Sequence, residues 1–259
     1  MSGELQKGEP MIFRQLFEPV SSTYTYLLAC GETREAVLVD PVLPAWQRDL
    51  QVVNDLGLRL VMTIDTHIHA DHLTSSSRLR NEVGSRIAVP ALDGLDCADV
   101  GIEDGVPLQV GGVRLDPMHT PGHTDNHFAI VAGERVFTGD ALLIDGCGRT
   151  DFQSGDSRAL YHSVRDKLFS LPAETLVYPA HDYSSRWVSS IAQERQRNPR
   201  LGGDRTIEDF VDLMAGLNLP YPKFIDYAVP GNRACGVCVD PLPAHLREYC
   251  DEMARSPQG

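Results

Sequence analysis

Short apolar or alternating runs make the first third of the chain strand-rich. Residues 12–17, 24–29, 36–39, 60–64 and 86–89 have the length and the β-branched or aromatic content of strands. Runs at 113–117, 128–131, 135–137 and 176–178 predict four more. Apolar positions recurring every three to four residues predict helices over 46–56, 70–83, 157–168, 186–197 and 207–215. Gly57, Gly84 and Gly216 stand where helices stop. Strands first, then strands alternating with helices, predict a layered α/β sandwich. After Gly202 the pattern breaks into one helix and a scatter of prolines, from Pro220 to Pro243. The reading is a main domain over 11–201 and a C-terminal extension over 202–259 packed on it, too short for a good core of its own.

Ligand-type side chains cluster where predicted strands end. The run His67-Ile68-His69-Ala70-Asp71-His72 follows the strand ending at Ile64. His123 lies in Thr120-Pro121-Gly122-His123, Asp140 follows Val136-Phe137-Thr138-Gly139, and His181 follows Leu176-Val177-Tyr178. Loops leaving one edge of a rigid sheet can bring such residues together. Imidazole nitrogen and carboxylate oxygen suit zinc, iron or manganese. His119, His127, His162 and His245 lack this company and read as ordinary surface or core histidines.

Composition narrows the classes. At 259 residues and 42% hydrophobic, the chain can bury a sizeable core. A net charge of -13 argues against a nucleic-acid or membrane-surface binder, so an anionic substrate needs a local basic pocket. Residues 1–10 lack the features of a secretory signal or transit peptide. No apolar run approaches the roughly 20 residues that span a bilayer, and cytoplasm is the default expectation. The six cysteines read as free thiols, and the Cys235–Cys238 spacing as structural or incidental.

The His67–His72 run matches the HxHxDH signature of the metallo-β-lactamase superfamily, and His123, Asp140 and His181 match its later ligands in order. That resemblance implies an αββα sandwich with the metal at one edge of two packed sheets. In dinuclear members, positions like His67, His69 and His123 hold one ion, those like Asp71, His72 and His181 the second, and Asp140 bridges. The signature alone therefore implies a two-zinc hydrolase. Other stretches resemble the persulfide dioxygenase family more specifically: residues 138–153 with Gly146-Cys147-Gly148-Arg149, then 17–21, 24–28, 38–42, 160–164, 178–183, 198–200 and 218–220. The resemblance covers about residues 12–240.

This narrower resemblance implies one iron(II) per chain, held by His67, His123 and Asp140, a two-histidine, one-carboxylate face with open positions. His69, Asp71, His72 and His181 then orient ligands and water through hydrogen bonds. The implied reaction takes glutathione persulfide, O2 and water to sulfite and glutathione. Arg149 is the candidate for a substrate carboxylate, Tyr183 for a hydroxyl contact, and Asp151 orients Arg149. Arg149 paired with Asp151 as a structural bridge, and Tyr183 as a packed aromatic, are the alternatives. Arg200 reads as a helix-end charge, with a second glutathione contact as the alternative, and Cys147 as a small packed residue, with a redox-sensitive thiol as the alternative. A homodimer is compatible with the chain, and any sulfurtransferase supplying persulfide would be a separate partner. The strongest rival is a hydroxyacylglutathione hydrolase, a zinc-type thioesterase. A non-catalytic redox sensor using Cys235 and Cys238 is a more remote one.

Overall fold

The computed structural model describes residues 11–240, 242–244 and 246–247. Strands β1 (Met11–Glu18), β2 (Thr23–Cys30), β3 (Glu35–Val39), β4 (Arg59–Ile64), β5 (Arg86–Pro90) and β6 (Val100–Ile102) form one sheet in sequence order. Strands β7 (Leu108–Val110), β8 (Val113–His119), β9 (Phe128–Ala132), β10 (Arg135–Gly139), β11 (Leu176–Pro179) and β12 (Ser189–Ser190) form the other. Pairing is parallel from β3 through β6 and between β10 and β11, and antiparallel elsewhere.

The two sheets face each other across an apolar layer. Tyr26, Leu28, Val39 and Ile64 from one meet Leu115, Phe128, Ile130 and Phe137 from the other. Within it the ring centroids of Tyr26 and Phe137 lie 4.8 Å apart, and the Tyr26 hydroxyl donates to the Pro179 carbonyl at 2.5 Å, so the buried phenol is satisfied. Helices α1 (Trp46–Asp55), α2 (Ser76–Val83) and α6 (Ile225–Arg233) supply Trp46, Val53, Leu79 and Tyr227 to the outer face of the first sheet. Helices α3 (Ser157–His162), α4 (Ile191–Arg197) and α5 (Ile207–Ala215) cover the second with Leu160, Ile191, Phe210 and Met214. This is the αββα sandwich.

The helix expected over 70–83 begins only at Ser76. Residues 70–75 are irregular because their polar groups have tertiary partners: Ser75 N–H donates to the Pro41 carbonyl, and Thr74 pairs with Val42. The helix expected over 186–197 begins at Ile191, with the Ser190 hydroxyl accepting from Gln193 N–H. Upstream, the Asp182 carboxylate takes the N–H groups of Ser184, Arg186 and Trp187 and holds that stretch as a loop. The predicted 157–168 helix loosens into a wider turn at Ser163–Lys167. Strands β6 and β7, of three residues each, and helix α6, with Pro230 inside it, were not expected from the pattern.

The free-thiol expectation also changes. Cys97 and Cys235, 138 residues apart, form a disulfide with Cα atoms at 6.1 Å, and Cys238 is disulfide-bonded too. Cys147 is a free thiol, and both it and Cys30 are buried. Nothing in the local sequence announces a pairing between a loop before β6 and the turn after α6. Cys97→Ser in oxidised protein is expected to lower stability by about 2–4 kcal/mol, because the bond closes a long loop of the unfolded chain. Thermal melts with and without reductant check it; curves that ignore both changes would show that the cross-link contributes nothing.

Candidate metal centre

The ends of β4, β8, β10 and β11 emerge at one edge of the sandwich, and the following loops carry His67, His123, Asp140 and His181. The sheets are stitched together there: Tyr24 N–H donates to the Ala180 carbonyl at 2.8 Å, and Phe128 N–H to the Thr66 carbonyl at 2.9 Å. One ligand atom each from His67, His123 and Asp140 lies within 4.8 Å of the others. His123 Nε2 is 3.4 Å from one Asp140 oxygen, and His181 Nε2 is 3.5 Å from the other.

Hydrogen bonds on the far side of each ring decide which nitrogen faces the centre. Thr66 Oγ1 donates its only proton to Asp40 Oδ2 at 3.0 Å, so it accepts from His67 Nδ1–H, also at 3.0 Å. His123 Nδ1 donates to the Arg149 carbonyl at 2.8 Å, and His181 Nδ1 to the Ser22 carbonyl at 3.0 Å. In the neutral rings each Nε2 then carries a lone pair toward the centre, the arrangement that metal-binding histidines use. His67 Nε2 and Asp140 Oδ1 are buried without a hydrogen-bond partner. Such orphaned buried atoms are costly unless a ligand satisfies them, and a metal cation does so. Burial, with the neighbouring imidazoles, pushes the His67 pKa well below the ordinary histidine value, keeping it neutral and able to ligate. The donor set fits a metal.

The remaining signature histidines are partnered at one ring nitrogen, while His69 Nδ1 and His72 Nε2 are, like His67 Nε2, buried without a hydrogen bond. His69 Nε2 is 3.0 Å from Asp40 Oδ1; burial pulls its pKa down, but Asp40, Asp71 and Asp65 outweigh that and raise it to about 9. His72 Nδ1 is 2.8 Å from Asp71, and Thr23 donates to Asp71 at 3.0 Å. Burial raises the Asp71 pKa, but His72 and His181 more than reverse this and hold it well below the usual carboxylate range. His69, Asp71 and His72 nevertheless also come within 4.8 Å of one another. His181 lies between Asp140 and Asp71, which raise its pKa against the effect of burial.

His127 is the residue that sequence reasoning missed. Its Nε2 accepts from Asp140 N–H at 3.0 Å while its Nδ1 donates to the Thr120 hydroxyl, so a fully buried, neutral imidazole fixes the backbone of Asp140. A lone buried histidine gives no signal of this in sequence. His162 is exposed and pairs with Asp166, as an ordinary histidine would. His245 lies outside the described residues.

A cavity of about 530 Å³ opens onto the centre, with Asp140 and His181 among its lining residues. Arg149, Arg186 and Arg200 also line it beside Asp145 and Asp182, with Arg186 paired to Asp145. Arg149 reaches Asp151 through two hydrogen bonds of 2.6 and 2.7 Å, donates to the Pro220 carbonyl, and stacks over Phe152. Arg200 donates to the Cys147 carbonyl and lines the cavity rather than ending a helix as expected. Tyr183 is exposed and stacks on His181 at 5.8 Å. Cys147 is packed, and burial raises its pKa to about 11.

Residues 19–181 match the family model of the metallo-beta-lactamase superfamily. A human protein, "Persulfide dioxygenase ETHE1, mitochondrial", is 50% identical over 233 residues, 89% of this chain and 91% of its own. The crystal structure of ETHE1 from Myxococcus xanthus superposes with a TM-score of 0.85 at 52% identity, covering 87% of this chain and all of that one. A probable hydroxyacylglutathione hydrolase of Schizosaccharomyces pombe is more distant, at 33% identity over 67% of this chain and 69% of its own. Among the described residues no helix is long and apolar enough to cross a membrane. With its sandwich, its edge-on ligand cluster and this likeness along most of its length, the chain belongs to the persulfide dioxygenase family of the metallo-β-lactamase superfamily.

Proposed function

We propose that this enzyme oxidises glutathione persulfide, with O2 and water, to sulfite and glutathione, using one iron(II) held by His67, His123 and Asp140. The reaction class follows from the persulfide dioxygenase relatives. The observation that carries the ligand set is that one ligand atom each of His67, His123 and Asp140 lies within 4.8 Å of the others, with His67 Nε2 and Asp140 Oδ1 buried and without a hydrogen bond. When bound, iron supplies the electron exchange that lets O2 react with sulfur.

The chain's own residues prepare that chemistry by holding groups still. The Nδ1 hydrogen bonds of His67 and His123 lock ring orientation and tautomer, so each neutral nitrogen is presented without reorganisation. Asp140 contributes the one negative charge of the set and is held through its N–H by His127. His69 Nε2 is held by Asp40, and the single-ion reading gives His69 a supporting role. Asp71, His72 and His181 join it as the hydrogen-bonding surround of the centre.

Glutathione carries carboxylates, and the arginines of the cavity lining are their candidate partners. Arg149 lines the cavity with Nε and Nη2 on Asp151 and Nη1 on the Pro220 carbonyl, so a substrate carboxylate must share or displace those partners, and Tyr183 stands at the rim with its hydroxyl available to the peptide. A charge-assisted contact of this kind contributes roughly 1.5–3 kcal/mol, so Arg149→Ala is expected to raise KM about tenfold or more. The Arg149 carbonyl that holds His123 is backbone and survives the change. Oxygen uptake and sulfite release with glutathione persulfide test the reading: equal amounts are expected. Hydrolysis of lactoylglutathione without oxygen uptake would sink it, and an unchanged KM in Arg149→Ala would remove that residue from the substrate site.

A further inference from the structure

The metal loop, residues 67–75, has no regular secondary structure, so its shape depends on what grips it from outside. On one side Gln153 Nε2 donates to the Ile68 carbonyl at 2.7 Å. On the other, a single side chain near the end of α6 makes three buried hydrogen bonds. Asn232 Nδ2 donates to the carbonyls of His69 and His72 at 2.9 and 2.8 Å, and its Oδ1 accepts from Thr74 N–H at 2.9 Å. Both donors and the acceptor of the amide are used on one six-residue stretch, and Asn232 is only 4% exposed.

The surrounding backbone is built for this approach. A Cβ on Gly231 would come within 2.3 Å of Leu73 Cδ2, and one on Gly236 within 2.1 Å of the Thr74 carbonyl oxygen. Gly236 also has φ +86°. Between them, the Cys235 carbonyl accepts from Ser77 N–H at 3.1 Å, and the disulfide to Cys97 ties the same turn to the first sheet's side of the molecule. The turn after α6 is therefore seated directly on the metal loop.

We propose that Asn232 is a positioning residue for the metal centre: by fixing the backbone of His69, His72 and Thr74 it sets where the loop presents His67. It touches neither the ligand atoms nor the substrate cavity. A side chain that merely stabilised the fold would affect melting without affecting metal affinity; a positioning residue changes metal affinity and the ligand field.

The inference rests on the reading that His67, His123 and Asp140 hold the metal, and cobalt(II) titration of metal-stripped full-length protein tests both. Affinity and the visible absorption of bound cobalt are the readouts, alongside apo-protein melting. Asn232→Ala and Asn232→Asp are compared with Val53→Ala, a buried change on remote α1. The aspartate keeps the acceptor for Thr74 N–H but turns both donors into acceptors facing carbonyls. Both Asn232 variants are expected to lose about tenfold or more in cobalt affinity, the scale on which outer partners of metal ligands act, and to shift the cobalt spectrum. Val53→Ala should lower the melting temperature with affinity within about twofold of wild type, since Val53 packs on α1 and its carbonyl accepts from Leu58 N–H rather than from the loop. Should Asn232→Ala fail to fold, the near-isosteric aspartate carries the test. Wild-type affinity and spectrum in a folded Asn232 variant would overturn the role of Asn232 alone. Cobalt binding unchanged in His123→Ala would overturn the ligand reading and this inference with it.

Discussion

Asp140→Asn is expected to abolish both metal retention and persulfide-dependent oxygen uptake while leaving the fold intact. The carboxylate stands 3.4 Å from His123 Nε2 and 3.5 Å from His181 Nε2, with Oδ1 buried and without a hydrogen bond. Its backbone N–H is held by His127 and its carbonyl by Gly148 N–H at 2.7 Å, so the substitution changes charge at a fixed point rather than moving the loop. Asparagine keeps the shape but removes the only negative charge of the ligand set and can turn a donor toward the cation. Losing a direct ligand should exceed the roughly 10–100-fold that loss of an outer partner costs. Elemental analysis, an oxygen electrode and circular dichroism check the three parts of the expectation. Full metal content in the variant would remove Asp140 from the centre.

Gly148→Ala is expected to damage the site sharply. A Cβ there would lie 2.4 Å from the Asp140 carbonyl oxygen and 2.9 Å from His123 Nδ1. Neither neighbour is the free end of a flexible side chain. The oxygen belongs to backbone that accepts from Gly148 N–H, and the ring is tethered to the adjacent Arg149 carbonyl at 2.8 Å. Overpacking of this kind costs about 1–3 kcal/mol. Relief by displacing His123 should lower metal affinity by roughly 10–100-fold, as for a broken outer partner. Gly146, two residues earlier in the same Gly-Cys-Gly stretch, provides the contrast. Its added Cβ would meet only Leu143 at 3.9 Å, so Gly146→Ala should keep both metal and stability. Metal titrations and thermal melts of the pair decide the matter; equal behaviour would show that the close approach at Gly148 does not constrain the ligands.

The parts of the molecule legible in the sequence are those governed by local pattern. The apolar runs that became β2 to β5 and β8 to β11 carry their own period, and the density of ligands between His67 and His72 is itself local information. The position of Asp140 and His181 just after strands already implied one edge. What escaped the pattern depends on distant partners. Residues 70–75 look helical, yet their backbone is claimed by Pro41, Val42 and Asn232. His127 looks incidental because its value lies in the N–H of Asp140, thirteen residues on. The cysteines read as free because Cys97 meets Cys235 only through the packing of α6 beside β5. His69 sits inside the signature, but its orientation comes from Asp40, which follows β3 and has φ of 50°.

The most direct test of a single-iron dioxygenase centre is elemental analysis of the active, full-length protein, with metal content plotted against oxygen uptake on glutathione persulfide. The proposed single-iron centre at His67, His123 and Asp140 predicts that activity rises with iron and saturates at one ion per chain. Activity that requires two ions per chain, or that follows zinc without oxygen consumption, would contradict it.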